Sequence, residues 1–254
     1  MNIFAISLER SKERNSYIKR HLSNRTKLPW ETLGVDGHEL HRNSSEWPHA
    51  PRHRDAIVGC ALSHIQAYRK IVERGLPWGV VIEDDVALPK NIDEIIAAVG
   101  KEIRSDEVIH LHNRTTKPSK FSSRNAKHVL GHKLVYPIDA NDMRTGAAYV
   151  IGQDAAQRIA EFNDPVQVLS DSWNTMYQND VIGGFRMAYP NVVRMVPFGS
   201  VIKPELNHTK VQHLALNLMN NAIVRGLRRM RRAYLTRSHE RNISIVDEPS
   251  PFIR

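Results

Sequence analysis

Apolar residues along the chain form either strand-like runs or helix-like stripes. The amino-terminal run NIFAISL predicts a strand, and RSKERNSYIKRHL after it predicts a helix with an apolar stripe of Tyr17, Ile18 and Leu22. From Asp55 to Gly75, apolar residues recur every three or four positions, which predicts a long helix. The chain therefore opens with the alternation of strands and helices that is typical of an α/β protein.

The rest of the chain continues this alternation. PWETLGVDG predicts a short strand, WGVVIEDDV a buried strand, and residues 91–99 a short helix closed by Gly100. Strands are also predicted for EVIHLH, KLVYPI and TGAAYVIG, and helices for QDAAQRIAEF and SDSWNTMYQ. The polar stretches 38–54 and 113–128 have no apolar period and are predicted to be loops. We expect an α/β domain with a mixed, largely parallel central sheet flanked by helices.

Composition narrows the class of protein. The 254 residues are 41% apolar and carry a net charge of +9, which indicates a soluble globular domain. No apolar run is long enough for a membrane span and no signal peptide is recognisable, so we expect a cytoplasmic protein. The single cysteine, Cys60, excludes an internal disulfide framework and a cysteine-rich zinc site, and is expected to be a small core residue.

Basic charge is concentrated at the carboxyl terminus. Residues 219–254 contain eight Arg and three acidic residues, a net charge of +5. Apolar residues between 211 and 235 recur at helical spacing among these Arg residues, which predicts a basic amphipathic helix that binds an anionic membrane surface. A docked helix with a solvated basic face is the alternative. We therefore expect a main domain over residues 1–210 and a basic helix and tail over residues 211–254.

Three adjacent carboxylates follow the buried strand in GVVIEDDVAL. In an open α/β sheet, Glu83, Asp84 and Asp85 would lie at the carboxyl end of the strand, where ligands bind. Side chains alternate along a strand, so Glu83 and Asp85 are expected to share one face and Asp84 to point elsewhere. Such a pair of carboxylates suits Mg²⁺ or Mn²⁺, although a solvated strand end would have the same sequence.

Four further motifs occur in a fixed order around this cluster. FAISLERSKER, GVDG at residues 34–37 and GCALSH at residues 59–64 precede VVIEDDV, and TGAAYVIGQDAAQRI follows it. Over roughly residues 2–200, this order resembles glycosyltransferase family 25, which includes bacterial lipooligosaccharide galactosyltransferases and related collagen-type galactosyltransferases. The resemblance implies a GT-A type fold, a UDP-sugar donor, most often UDP-galactose, and a glycan acceptor.

The resemblance also implies a set of donor-site residues. Without the resemblance, these residues would also fit purely structural roles. Either Arg10 or Arg14 is expected to hold the diphosphate, because a guanidinium fork suits phosphate. Asp36 is similar to the family's acidic residue near the nucleoside, and Asp85, with Glu83, is expected to hold the metal. The full donor set is Ser7, Leu8, Arg10, Arg14, Asp36, Gly37, Ser63, His64, Glu83, Asp84, Gly146 and Tyr149.

An inverting transfer also needs a carboxylate that takes the proton of the acceptor hydroxyl. Asp171 is the first candidate for this base and Asp142 the second. The chain departs from the family pattern at Gln167, where an aspartate is common, and at Ile57, where a glutamate is frequent. The base is therefore the least constrained part of the predicted site.

The leading hypothesis is a hexosyltransferase, peripheral to the inner face of the cytoplasmic membrane, that extends a lipooligosaccharide, a lipopolysaccharide or a related lipid-linked glycan. A metal-dependent nucleotidyltransferase and a basic nucleic-acid-binding protein are the alternatives. Nucleic acid is not the expected partner, because the Arg tract is not interleaved with aromatic residues that could stack on bases. The sequence also lacks a GxxxxGK or GxGxxG motif, which argues against a P-loop or dinucleotide-binding enzyme.

Overall fold

A computed structural model describes residues 1–40, 55–115, 117–196, 198 and 242–253. The strands are β1 (Ile3–Ile6), β2 (Trp30–Leu33), β3 (Trp78–Glu83), β4 (Val86–Ala87), β5 (Glu107–His110), β6 (Ser119–Val129), β7 (His132–Pro137), β8 (Ala148–Gly152), β9 (Gly184–Tyr189), β10 (Arg194–Met195) and β11 (Ile243–Val246). The helices are α1 (Lys12–Arg25), α2 (Asp55–Glu73), α3 (Ile92–Gly100), α4 (Gln153–Phe162) and α5 (Trp173–Gln178). Across these ranges, no helix combines the length and apolar character needed to cross a membrane.

Nine strands form one sheet in the order β11-β6-β7-β9-β5-β8-β3-β1-β2. Strands β7 and β8 run antiparallel to their neighbours, so the other seven strands share one direction. Strands β4 and β10 pair separately as a short antiparallel ladder. The prediction of an α/β fold with a mixed, largely parallel central sheet is confirmed.

The sheet is buried on both faces, and the alternation of side chains along its strands distributes them between two apolar layers. Phe4 of β1 and Val81 of β3 belong to the layer that contains α2, α4 and α5. Ile3 and Val80, one position earlier on the same strands, belong to the layer that contains α1 and α3. The apolar runs found in the sequence are continuous because both faces of these strands are covered.

The prediction of a loop over residues 113–128 is wrong for most of this range. Strand β6 begins at Ser119 and pairs with β7 on one side and β11 on the other. Pairing with β11 at residues 119–122 and with β7 at residues 121–122 and 127–129 holds much of its backbone, although most of its side chains are polar and only a few, such as Phe121, enter the core. A strand held mainly by backbone pairing gives no apolar period in the sequence.

The carboxyl-terminal residues 242–253 pack against the main sheet. Strand β11 runs parallel to β6, and Phe252 is buried against Phe185 and Tyr177. The predicted boundary at residue 210 assigns these residues to the tail, whereas the structure joins them to the first domain. The predicted amphipathic helix over 211–235, and the remainder of the loop over 38–54 beyond residue 40, lie outside the described residues.

One buried ion pair joins the middle strands of the sheet. The Arg186 guanidinium donates to both carboxylate oxygens of Glu107 at 2.7 Å, and the two residues are 3% and 0% exposed. We expect Glu107→Gln to lower the free energy of unfolding by roughly 3 to 5 kcal/mol, because it leaves a buried guanidinium without its counter-charge. Urea denaturation measures this change.

The matched control is Glu248→Gln. Glu248 pairs with Lys120 at 3.0 Å, but both side chains are at least half exposed, so we expect a change below about 1 kcal/mol. Equal losses of stability in the two variants would contradict the structural role assigned to the buried pair.

Candidate active site

A cleft lies at the carboxyl ends of β1, β2 and β3. Ile6 of β1 is in register with Leu33 of β2 and with Glu83 of β3, so the three parallel strands end at the same level. Four separate segments line the cleft, and their predicted site residues are Ser7, Leu8, Arg14, Gly37, Ser63, Glu83, Asp84 and Asp85. The cleft therefore lies where an open α/β sheet binds its ligands.

Asp84 holds the amino-terminal strand and helix together. Its carboxylate accepts hydrogen bonds from the Ser7 hydroxyl at 2.9 Å and from Arg14 Nε at 2.7 Å. The Asn15 amide donates to the same Ser7 hydroxyl at 3.1 Å. Arg14 also contacts Asp85, with 3.1 Å between Arg14 Nη2 and Asp85 Oδ2. One guanidinium therefore offsets two of the three adjacent carboxylates.

The expectation that Asp84 would point away from Asp85 is wrong, because Arg14 contacts both carboxylates. Strand β3 ends at Glu83, and the next two residues form a turn before β4, so the alternation of side chains stops there. All three carboxylates line the same cleft. Asp84 is the most deeply placed of them, 6% exposed, because Ser7 and Arg14 satisfy its oxygens.

Glu83 lies beside the strand end without an equally close cation. Burial of its carboxyl, together with the negative charge of Asp85, raises the pKa of Glu83 to about 8. The Arg14 charge lowers this pKa only in part, and the charges of Asp84 and Asp171 raise it further. At neutral pH, Glu83 is therefore largely protonated unless a cation binds next to it.

The GVDG segment packs directly on α2. A Cβ atom added to Gly59 would lie 2.6 Å from the amide nitrogen of Gly37 and 2.6 Å from the carbonyl oxygen of Val35, so only glycine permits this approach. The Ser63 hydroxyl accepts a hydrogen bond from the Val35 N–H at 2.9 Å. Gly37 and Ser63 are thereby fixed on one side of the cleft.

Asp36 lies in the same GVDG segment and contacts Arg10. Burial of its carboxyl opposes ionisation, but hydrogen bonds from the Arg10 side chain and the His38 backbone outweigh burial and lower the pKa of Asp36. Arg10 is bound to Asp36 here, whereas Arg14 is bound at the acidic cluster. Of the two predicted phosphate ligands, Arg14 is the one that lines the cleft.

His64 lies below the cleft in a chain of buried hydrogen bonds. Its Nδ1 atom is 2.7 Å from the Tyr149 hydroxyl, which is 2.6 Å from the Tyr68 hydroxyl. Burial lowers the pKa of His64 to about 4, so its ring is neutral at physiological pH. Within the described part of the chain, His64 Nε2 has no hydrogen-bond partner. Gly146 lies beside this ring and beside Glu83.

A segment around Thr145 carries Gly146, which lies beside His64 and Glu83. Thr145 has a φ of +82°, which is unusual for a residue with a branched side chain, and its carbonyl accepts a hydrogen bond from Trp173 Nε1 at 3.1 Å. The Thr145 backbone also hydrogen-bonds to Asp171. Burial nevertheless raises the pKa of Asp171. Trp173 and Asp171 therefore help to hold Gly146 against His64 and Glu83.

The two candidate bases lie in different surroundings. The Asp171 charge acts on Glu83 and Cys60, so Asp171 lies near these two residues of the cleft. The Asp142 carboxylate instead accepts a hydrogen bond from the Ser119 hydroxyl of β6 at 2.8 Å, and burial raises its pKa. The structure thus gathers Asp171, but not Asp142, with the predicted donor residues. Their catalytic roles remain predictions.

Three residues of the site were not expected from the sequence. Cys60 lines the cleft although a small core residue was predicted, and Thr145 and Trp173 shape the loop that carries Gly146. The sequence does hold one signal for Cys60, since it precedes His64 by four residues on a helix and therefore shares its face. No signal of this kind marks Thr145 or Trp173.

The fold and the cleft define an α/β protein with a polar ligand site at the carboxyl edge of its sheet. The sequence model described as "Glycosyltransferase family 25 (LPS biosynthesis protein)" matches residues 1–174, so the chain belongs to glycosyltransferase family 25. This membership confirms the resemblance seen in the ordered motifs.

Two further comparisons add little to this assignment. The crystal structure of a glycosyltransferase involved in the glycosylation of the major capsid of PBCV-1 is similar over 73% of this chain and 80% of its own, with 12% identity and a TM-score of 0.35. No curated protein matches the chain.

The raised pKa of Glu83 predicts a pH dependence of stability. Its folded-state pKa of about 8 lies above the ordinary value of 4.5, so the folded protein binds this proton more tightly than the unfolded chain. The contribution of Glu83 to stability is therefore fully present below about pH 4.5 and is lost as pH rises through 8. Compared with Glu83→Gln, the wild type should lose stability more steeply in this window, by up to about 1.4 kcal/mol per pH unit.

Urea denaturation at a series of pH values in metal-free buffer tests this prediction. Glu94→Gln, on the exposed face of α3, is the matched control and should follow the wild type. Parallel curves for the wild type and Glu83→Gln would show that Glu83 is ionised in the folded protein.

Proposed function

We propose that the protein transfers a hexose, with galactose as the first candidate, from a UDP-sugar to a lipooligosaccharide, a lipopolysaccharide or a related lipid-linked glycan. The observation that carries this proposal is the meeting of four separated sequence motifs in one cleft at the carboxyl edge of the sheet. Membership of glycosyltransferase family 25 supplies the class of reaction. A GT-A type arrangement of the donor site is part of the same proposal.

The donor diphosphate is assigned to Arg14 and the amino-terminal strand end. Arg14 lines the cleft together with Ser7 and Leu8, which follow β1 directly. A guanidinium fork recognises phosphate oxygens, and it can exchange its contacts with Asp84 and Asp85 for a ligand that a cation accompanies. Asp36 and Gly37, at the other side of the cleft, are proposed to lie near the nucleoside.

A hard divalent cation, Mn²⁺ or Mg²⁺, is proposed to bind through Asp85 and Glu83. The residues fit such an ion, because both line one cleft, and burial together with the charge of Asp85 raises the pKa of Glu83, an effect that a bound cation would offset. When bound, the ion supplies positive charge that offsets the charge of the departing diphosphate. The chain's own contribution is to hold two carboxylates at one strand end and to place Arg14 beside them.

Asp171 is proposed as the base that accepts the proton of the acceptor hydroxyl while that oxygen attacks the anomeric carbon, with inversion. A carboxylate whose pKa is raised by burial is a stronger base than a solvated one, which favours this role. Its position near Glu83 also supports the assignment, whereas Asp142 is bound to Ser119 of β6. Asp142 therefore becomes the weaker candidate.

A lipid-linked acceptor agrees with the basic carboxyl-terminal sequence. Residues 219–254 carry a net charge of +5 and would be attracted to an anionic membrane surface, with the enzyme at the inner face of the cytoplasmic membrane. A nucleotidyltransferase would instead release pyrophosphate from a nucleoside triphosphate, so the products distinguish the two reactions.

A donor screen by thermal unfolding tests the proposal. With UDP-galactose at about 100 times its dissociation constant, the Tm should rise by roughly 5 to 10 °C, because a ligand that binds only the folded state stabilises it. Mn²⁺ should enlarge this shift in the wild type but not in Asp85→Asn, which lacks one proposed metal ligand. Product analysis with the same donor and a lipooligosaccharide acceptor then measures transfer.

The matched control is Asp154→Asn. Asp154 is exposed in the first turn of α4, which follows the end of β8 opposite the cleft, so this variant should keep the full Mn²⁺ effect. The proposal fails if no UDP-sugar changes the Tm of the wild type and no sugar is transferred or hydrolysed.

A further inference from the structure

Three possible metal ligands meet on the floor of the cleft. Cys60 and His64 lie four residues apart on α2, so both project from the same face of the helix, and Glu83 ends the neighbouring strand β3. Their sulfur, nitrogen and oxygen ligand atoms all lie within 4.8 Å of one another. This cluster shares Glu83 with the acidic pair used above, but its other two ligands are a thiol and an imidazole instead of an aspartate.

His64 provides an independent sign of a ligand. The ring is 1% exposed, its Nδ1 atom is bound to the Tyr149 hydroxyl, and its Nε2 atom lacks a partner within the part of the chain that the structure describes. A buried imidazole nitrogen without a hydrogen bond is costly. In metal-bound histidines, one ring nitrogen commonly forms a hydrogen bond of this kind while the other coordinates the metal. In His64, Nδ1 would have the first role and Nε2 the second.

The three ligand atoms of this cluster indicate which class of metal would bind. A cysteine sulfur, a histidine nitrogen and a glutamate oxygen together suit Zn²⁺, whereas Mg²⁺ and Mn²⁺ prefer oxygen ligands alone. Ligand atoms around a tetrahedral zinc ion lie roughly 3 to 4 Å apart. Because no two of the ligand atoms are more than 4.8 Å apart, the side chains need to close by at most about 1 to 2 Å, which rotamer adjustments can supply.

We propose that Cys60, His64 and Glu83 form a binding site for a zinc-class ion whose fourth position opens into the cleft. Cys60 and Glu83 both line the cleft, so a water molecule or a substrate oxygen can reach that position. Binding replaces the thiol proton of Cys60 and the carboxyl proton of Glu83 with metal bonds and releases both protons to solvent. The site does not depend on the proposed sugar transfer, although it shares Glu83 with the proposed Mn²⁺ ligands.

Cobalt titration of the full chain tests the site directly. Co²⁺ substitutes for zinc and gives a thiolate-to-metal charge-transfer band in the near ultraviolet. Because Cys60 is the single cysteine of the chain, any such band must come from this residue. We expect one equivalent of Co²⁺ to saturate the band, zinc to displace it, and Cys60→Ser to abolish it.

Variants of the other two ligands and of the supporting tyrosine define the rest of the site. His64→Gln and Glu83→Gln should each weaken Co²⁺ binding by at least tenfold. Tyr149→Phe, which removes the hydrogen bond to Nδ1, should weaken binding by roughly 10- to 100-fold, as loss of an outer-shell partner does elsewhere. His132→Gln and Tyr189→Phe, at positions on β7 and β9, are the matched controls and should bind as the wild type does.

Two outcomes would overturn the proposal. One is the absence of a charge-transfer band in the folded wild type with excess Co²⁺, and the other is unchanged affinity in both His64→Gln and Glu83→Gln. If these variants do not fold, the rate of alkylation of Cys60 in the wild type is measured instead. Zinc should then slow alkylation at least tenfold and a chelator should restore the rate, whereas a rate unchanged by saturating zinc would refute the site.

The same samples separate this inference from the proposed function. Asp85→Asn should keep the cobalt band while losing the Mn²⁺ effect on donor binding. A wild-type protein that binds UDP-sugars but gives no cobalt band refutes only the zinc-class site. A protein that gives the band but neither binds nor transfers any sugar refutes only the glycosyltransferase proposal.

Discussion

The architecture depends on one electrostatic constraint, the placement of three neighbouring carboxylates at the end of a strand that is buried on both faces. Asp84 can be buried because Ser7 and Arg14 donate to it, and this contact ties β1, α1 and the end of β3 to one point. Arg14 also contacts Asp85, so the cation on α1 partly offsets the acidic cluster. Burial of the Glu83 carboxyl, together with the charge of Asp85, raises its pKa, and the Arg14 charge lowers this pKa only in part.

The site has two sides that differ in chemistry. Toward α1, it offers a guanidinium and two carboxylates, which suit a phosphate accompanied by a hard cation. Toward α2 and β8, it offers a partly buried thiol, together with an imidazole and a hydrogen-bonded tyrosine that are both fully buried. Glu83 lies between the two sides and is the one residue that both proposals share. The position of the Glu83 carboxylate therefore affects both proposed metal sites, whereas each of its neighbours affects one.

Much of the fold could be predicted because its central strands are buried on both faces and its helices are amphipathic. Burial on both faces leaves a continuous apolar run in the sequence, as in β3, and an amphipathic helix leaves a period of three to four residues, as in α2. Strand β6 left neither pattern, because backbone pairing on both edges holds a largely polar segment. The donor-site residues were found through ordered motifs, whereas Cys60 looked like a core residue and Thr145 like an ordinary strand neighbour. Their roles arise from contacts between segments far apart in the chain, which local patterns do not encode.

The close approach of Gly59 to the GVDG segment has a consequence for how this surface can vary. With a side chain excluded at Gly59, the start of α2 and the turn that carries Asp36 meet backbone to backbone. No intervening side chain can absorb a shift between them, so the turn and the first half of the helix must move as one piece. A larger or smaller ligand would then be accommodated by side chains that line the cleft, such as that of Arg14, and not by a change in this turn.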